Sequence, residues 1–311
     1  FKMVIEMLER VRDIMYLDYE GARVMEPEAL REVIRRVNPE RSALNLDRFI
    51  FPQGDRLRGE QMVNLVYGSG STVDEEAFGR VMSRLTADLN PLRLFSEGPR
   101  WAELARRQGR RTDALAEAEK VFLDWANRWG FDDLDDQLNQ PFYFDIIDEE
   151  EFAAAKAAYS NIEPLYELRR ALKVELVGTE AAAAVVGYMY EMTGAIPPVL
   201  TATRPAWLSR LRIDPYNSRP ETGAAAALQY FLPGRSRTGS VRLEVFPESG
   251  QNFEFTLADG DFVLYSAGPN GVPDYAERVS NDPNAILGDY IIWPPMISLE
   301  RIHLEELGVL R

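Results

Sequence analysis

The chain has 311 residues, 46% of them hydrophobic, which is enough for two sizeable cores and too apolar for a disordered or fibrous protein. Fifty acidic against 35 basic residues leave a net charge of −15, so the cationic face that displaces counterions from nucleic acid is missing and no nucleic-acid partner is expected. With no cysteine and with His303 as the single histidine, disulfides, thiol catalysis, zinc ribbons and multi-histidine metal centres are excluded. A Ser-His-Asp triad would have to use His303, and the surrounding Ile302-His303-Leu304-Glu305-Glu306 contains no nucleophile motif.

The first 160 residues read mainly as helices. Val4, Leu8, Val11 and Met15 recur at steps of three and four and form one apolar stripe. Pro27 suits a first helical turn, and Leu30, Val33, Ile34 and Val37 carry the next stripe. The segment from Val66 to Thr72 has the glycines of a phosphate loop without its Gly-Lys-Ser/Thr ending, so it is expected to lead to a helix cap at Thr72 or Asp74. A third helix is predicted from Asp74 to Leu89, and a fourth from a cap at Thr112 to Trp129, with Gly130 as its stop. The acidic run Asp132-Asp133-Leu134-Asp135-Asp136 lacks the alternate spacing and central glycine of a calcium-binding EF-hand and reads as a turn. Asp148 is placed to cap a following alanine-rich helix, with Glu151 completing a capping box.

Pro164 opens another helix through Leu165, Leu168, Leu172 and Leu176, and a second helical piece runs from Glu180 to Thr193, ended by Gly194. The most apolar window, from Ala181 to Leu200, contains Glu191 and Pro197-Pro198 and is too interrupted to span a membrane. Beyond Trp207-Leu208 the pattern turns to strands: Ala226 to Leu232, Ser240 to Phe246, Asn252 to Leu257 and Phe262 to Ser266. Val241, Leu243 and Val245 alternate with Arg242 and Glu244, and Phe253, Phe255 and Leu257 alternate with Glu254 and Thr256, so each of these two strands is expected to have one wet face. Asp259-Gly260 between the last two runs has the composition of a two-residue hairpin turn. The expected class is α+β: a helical domain over 1–160, then a domain over 161–311 with a helix against a small antiparallel sheet.

The order of several short pieces in the second half resembles a known family. Tyr190-Glu191-Met192-Thr193-Gly194-Ala195-Ile196-Pro197 leads to Trp207-Leu208, then to Asp214-Pro215-Tyr216. Asp261-Phe262-Val263-Leu264-Tyr265-Ser266-Ala267-Gly268-Pro269-Asn270-Gly271 follows, and then Gly288-Asp289-Tyr290-Ile291-Ile292-Trp293. From about Leu165 to Pro295 this order is similar to the C-terminal domain of the major pseudopilin of type II secretion and of related bacterial pilin-like proteins. The resemblance implies a long helix against a small sheet, a loop that holds a structural calcium ion, and a role in assembly without catalysis. Lys2, Glu9, Arg10, Arg12 and Asp13 interrupt the apolar opening helix of a pseudopilin, so the pilin-like domain is expected to be reused in a larger protein.

Calcium takes six to eight oxygens from carboxylates, amides and carbonyls on a tightly turning loop. Asn270, Asp274, Asp282 and Asp289 offer side-chain oxygens, the carbonyl of Ala267 is a further candidate, and Gly268 and Gly271 allow tight turns. The same residues would equally furnish an acidic surface loop of ordinary turns.

The expected function is a non-enzymatic structural or assembly protein of the periplasm or cell envelope, with other proteins of that assembly as partners. The chain opens on Phe1 rather than Met, and a membrane would be reached only through a segment upstream of it. Two other readings stand beside this one. Helices of the N-terminal half could form a peptide- or protein-binding module, or Asp145, Asp148 or the acidic run could supply the two carboxylates of a glycan hydrolase. Trp125, Trp129 and Phe142-Tyr143-Phe144 would line a groove in either of those, or pack in a core.

Overall fold

The computed structural model describes residues 1–22, 25–38, 46, 50–86, 93–130, 140–159, 162–217, 227–233, 242–258, 260–285 and 287–310. Among them are ten α-helices and six strands, an α+β protein. The acidic run at 132–136, Asp259 and the first residues of two expected strands, Ala226 and Ser240, lie outside the described residues. Two compact units divide the chain, and they do not follow the expected split at residue 160. Unit 1 comprises Phe1–Phe49, Asp132–Asp136 and Tyr166–Arg311, and unit 2 comprises Ile50–Phe131 and Gln137–Leu165. An apolar stripe does not specify its partner, and the stripes on the first two helices find theirs more than 130 residues away.

Unit 1 begins with α1 (Lys2–Leu17) and α2 (Pro27–Val37). Pro27 stands in the first turn of α2, where its missing N–H has no intrahelical acceptor to lose. Leu8, Met15, Leu30 and Val37 are buried, as their spacing predicts, and Leu8 and Val37 pack with Leu172 and Leu176. Those two leucines belong to the long helix α9 (Glu163–Glu191), which is continuous where the sequence suggests two pieces. Gly194, at φ 92°, receives the chain as it leaves the helix, and its N–H donates to the Met189 carbonyl at 2.8 Å. Small residues let this helix lie close to the sheet. A Cβ on Gly178 would sit 2.6 Å from Ile292 Cγ2, and Ala181, Ala182, Ala183 and Ala184 are buried beside it.

The sheet has the order β1-β4-β6-β5-β2-β3, with β1 Gln229–Phe231, β2 Arg242–Phe246, β3 Phe253–Thr256, β4 Val263–Ser266, β5 Arg278–Ser280 and β6 Asp289–Trp293. Four expected strands are present within narrower bounds, and β5 and β6 are additional. The sheet is mixed rather than antiparallel, because β5 runs parallel to both β2 and β6. β3 and β4 are not a hairpin either. Among the described residues β3 pairs only with β2 and lies at one edge, whereas β4 lies between β1 and β6. The alternation in β2 is as predicted, with Leu243 and Val245 buried and Arg242 and Glu244 exposed. β6 is buried at every position, so its Tyr290-Ile291-Ile292-Trp293 shows no alternation. One face of it packs with residues of α9 through Tyr290 and Ile292, and the other meets Met296 and Leu299 of α10 (Met296–Glu306) through Ile291. His303 lies on α10, its ring stacked on Phe253 at 4.4 Å.

Unit 2 is helical: α3 (Gln53–Tyr67), α4 (Glu75–Thr86), α5 (Arg93–Arg107), α6 (Arg111–Arg128), α7 (Tyr143–Ile146) and α8 (Glu149–Ala158). Asp74 caps α4, accepting the N–H groups of Glu76 and Ala77 at 3.0 Å each; of the Val66–Thr72 segment, Val66 and Tyr67 end α3 and the rest is a turn between the two helices. Asp148 caps α8 through the N–H groups of Glu150 and Glu151 at 2.8 and 3.3 Å. Thr112 is not a cap. Helix α6 starts one residue before it, after Arg110. Trp125 and Trp129 are buried, against Phe142 at 4.8 Å and Phe51 at 5.6 Å respectively, and are core residues rather than a groove lining.

Candidate functional site

The three sequence pieces Asp214-Pro215-Tyr216, Tyr265-Ser266-Ala267-Gly268 and Gly288-Asp289-Tyr290 meet at one place in unit 1. Asp214 folds back on its own turn and accepts the Tyr216 N–H at 2.9 Å. The same carboxylate accepts the Ser266 hydroxyl at 2.6 Å and the Ala267 N–H at 3.1 Å, so it fixes the end of β4 to the turn. Asp214 is buried, and burial pushes its carboxyl pKa up while these three donors pull it down. The chain then turns through Gly268 at φ 72° against Gly288 at φ 90°, where a Cβ on Gly268 would lie 2.7 Å from the Gly288 carbonyl. Only glycine permits both the conformation and the approach.

Asp289 sits at the start of β6 with no exposed surface. Its two oxygens accept the N–H of Asp274 at 3.0 Å and of Ala276 at 2.7 Å. These bonds hold a turn in which Tyr275 and Ala276 are left-handed, at φ 56° and 57°. Burial pushes the Asp289 carboxyl up to about 7, with the charges of Asp274 and Asp214 adding to the rise and the two N–H groups opposing it. Among the described residues neither Asp214 nor Asp289 forms a salt bridge.

Of the five candidate ligands, Asp274 and Asp289 are brought together, and Ala267 adjoins the Asp214 carboxylate. Asn270 Oδ1 accepts the Val272 N–H at 2.9 Å, and Asp282 Oδ1 accepts the Asn284 N–H at 2.8 Å, so each closes a turn of its own. Asp282 also lines an open groove of about 890 Å³ on the bare face of β2, β3 and β5. The donor chemistry fits calcium, with oxygen ligands and, among the described residues, no base paired with the buried carboxylates. The spacing is wider than a formed cage, for no three acidic or histidine side chains among the described residues stand together as a metal group.

A second buried polar cluster escaped the sequence reading. Arg12 of α1 is wholly buried and pairs with Glu175 of α9 in a very short contact, and it donates to Thr179 Oγ1 at 2.9 Å. The other oxygen of Glu175 accepts the Tyr290 hydroxyl at 2.9 Å, and Glu9 lies beside them. The available signal was an arginine on the stripe side of α1, four residues from Leu8 and three from Met15. In unit 2, Asp145 is exposed and Asp148 serves as the cap described above.

Among the described residues no helix is long and apolar enough to cross a membrane. Comparison with protein-family models, with curated proteins and with solved structures returns no match.

Proposed function

We propose that the chain is a non-enzymatic structural or assembly protein of an extracytoplasmic compartment, in which unit 1 is a pseudopilin-like interaction domain whose closing loop is clipped by calcium. The observation that carries this reading is the meeting of Asp214, Ser266-Ala267-Gly268 and Gly288-Asp289 in one buried knot. These are the pieces on which the resemblance rests, and their polar groups face inward to fix loops to the sheet. Calcium accounts for the company that Asp289 keeps: a carboxylate raised toward neutrality by burial first, and then by the charges of Asp274 and Asp214, is relieved by a divalent cation. Of the expected donors, Asp274 and Asp289, which the fold brings together, and the carbonyl of Ala267 are those proposed. The partners are other proteins of the same assembly.

A calorimetric titration of the metal-free protein tests this. Calcium at about 100 times its Kd stabilises the folded state by roughly 2.7 kcal/mol, because it binds that state alone. Chelation lowers the melting temperature, and Asp274→Ala abolishes the difference. A titration with no heat of binding, together with a melt indifferent to chelation, sinks the calcium clip and the pseudopilin-like reading that depends on it.

A further inference from the structure

The cluster at the α1–α9 contact holds two carboxylates and one guanidinium. Arg12 and Glu175 are each about 1% exposed and are committed to one another, to Thr179 and to Tyr290. Glu9, one turn before Arg12 and 9% exposed, is the acid left over. Its side-chain neighbour at hydrogen-bond range is the amide of Asn281, 3.5 Å away in the loop after β5, and the Ile297 N–H of α10 also points at it. Other charges face it from each packed element: Arg12 on its own helix, Glu175 on α9 and Glu300 on α10. The nearby cation Arg301 is engaged by Asp13 at 2.6 Å, and the Tyr290 hydroxyl of β6 is given to Glu175. With Glu9 ionised, the pocket encloses two negative charges and one positive; with Glu9 protonated, the charges balance.

We infer that Glu9 is the proton-binding residue of a latch that docks α1 on α9, and that the latch holds more tightly with the proton than without it. Ionised Glu9 has been stripped of water beside Glu175, and Arg12 compensates only in part, so the docked helix favours the neutral acid. Burial first, then Glu175, push the Glu9 carboxyl from 4.5 up to about 7. A carboxyl raised on folding contributes stability that is complete below about 4.5 and is lost as the pH rises to about 7. Undocking returns Glu9 to water, so the equilibrium constant for opening α1 rises about tenfold between pH 6 and pH 8.5 on account of this group alone.

Amide hydrogen exchange of the full chain reads this directly, as protection factors for peptides within residues 2–17, corrected for the intrinsic pH dependence of exchange. In the wild type the protection of α1 is expected to fall about tenfold more from pH 6 to pH 8.5 than in Glu9→Gln, whose neutral amide imitates the protonated acid. Glu9→Gln is also expected to protect α1 at pH 8.5 at least as well as the wild type does. Equal pH dependence in the two proteins overturns the proposal, and so does a Glu9→Gln protein that is less protected at pH 8.5 or fails to fold. Glu175→Gln provides an independent check: it frees Arg12 for Glu9 and removes the repelling charge, so the extra pH dependence shrinks, and its persistence argues against the latch.

Discussion

Replacing Asp214 by alanine removes a single acceptor from three buried donors: the Tyr216 N–H, the Ser266 hydroxyl and the Ala267 N–H. Hydrogen bonds to a charged acceptor contribute about 1.5–3 kcal/mol each, which gives a gross loss of roughly 5–9 kcal/mol. Two effects reduce it. The buried carboxylate carries a desolvation cost of several kcal/mol that alanine does not, and the Ser266 hydroxyl can rotate toward another acceptor. A net destabilisation of unit 1 of about 3 kcal/mol remains. Amide exchange of β4 and β6 reports on unit 1 separately from unit 2, and 3 kcal/mol corresponds to a loss of protection of roughly a hundredfold. Asp214→Asn keeps one acceptor oxygen and should lose only about 1–2 kcal/mol. If Asp214→Ala leaves protection within about threefold of the wild type, Asp214 does not hold the turn to the strand, and the knot is not what orders this end of the sheet.

Two smaller perturbations address other parts of the fold. A Cβ on Gly187 would lie 2.4 Å from the ring atoms Cε3 and Cζ3 of Trp207, so Gly187→Ala should cost about 1–3 kcal/mol or more by overpacking, seen as a lower urea midpoint at unchanged slope; an unshifted midpoint refutes the close approach. Asp148→Ala removes the cap of α8 and should cost about 1 kcal/mol, read as faster amide exchange at the start of that helix, and unchanged exchange there means that the cap contributes nothing.

What the sequence made legible was local. The stripes of α1 and α2, Pro27 at the start of α2, the cap at Asp148, the stop at Gly194 and the wet face of β2 each depend on residues a few positions apart. What it concealed was non-local or unpatterned. β5 has three residues, and in β6 Asp289 is followed by four apolar residues in a row, so neither alternates, and an apolar run of four reads equally as part of a buried helix. The parallel pairing of β5 follows from long connections rather than from any turn signal, whereas Asp259-Gly260 has hairpin composition but joins strands from different parts of the sheet. Helix α3 contains Gly54 and Gly59, poor helix formers, yet Gly59 is retained because the Tyr159 side chain occupies the space where a Cβ would project. In the candidate site, Asp289 was identifiable as an acid on a glycine-rich loop. Its partners were not, because the N–H groups of Asp274 and Ala276 carry no sequence signature.

The buried acids of unit 1 differ in what satisfies them, and that difference assigns their roles. Glu175 and Glu180 are paired with Arg12 and Arg212, and such pairs act as fixed cross-links between elements. Among the described residues Asp214 and Asp289 are held by N–H and O–H donors alone, which fix a loop without cancelling its charge, and the proposed cation would do electrostatic work there. Among the described residues Glu9 has neither an arginine of its own nor a set of main-chain donors, and a proton is the remaining way to neutralise it there. In the two proposals, calcium and pH therefore act on different carboxylates. The calcium response should vanish in Asp274→Ala and persist in Glu9→Gln, while the extra pH dependence of α1 should vanish in Glu9→Gln and persist in Asp274→Ala. A substitution that abolished both responses would show that the two clusters are one coupled electrostatic network, joined through Tyr290, which follows Asp289 in β6 and donates to Glu175.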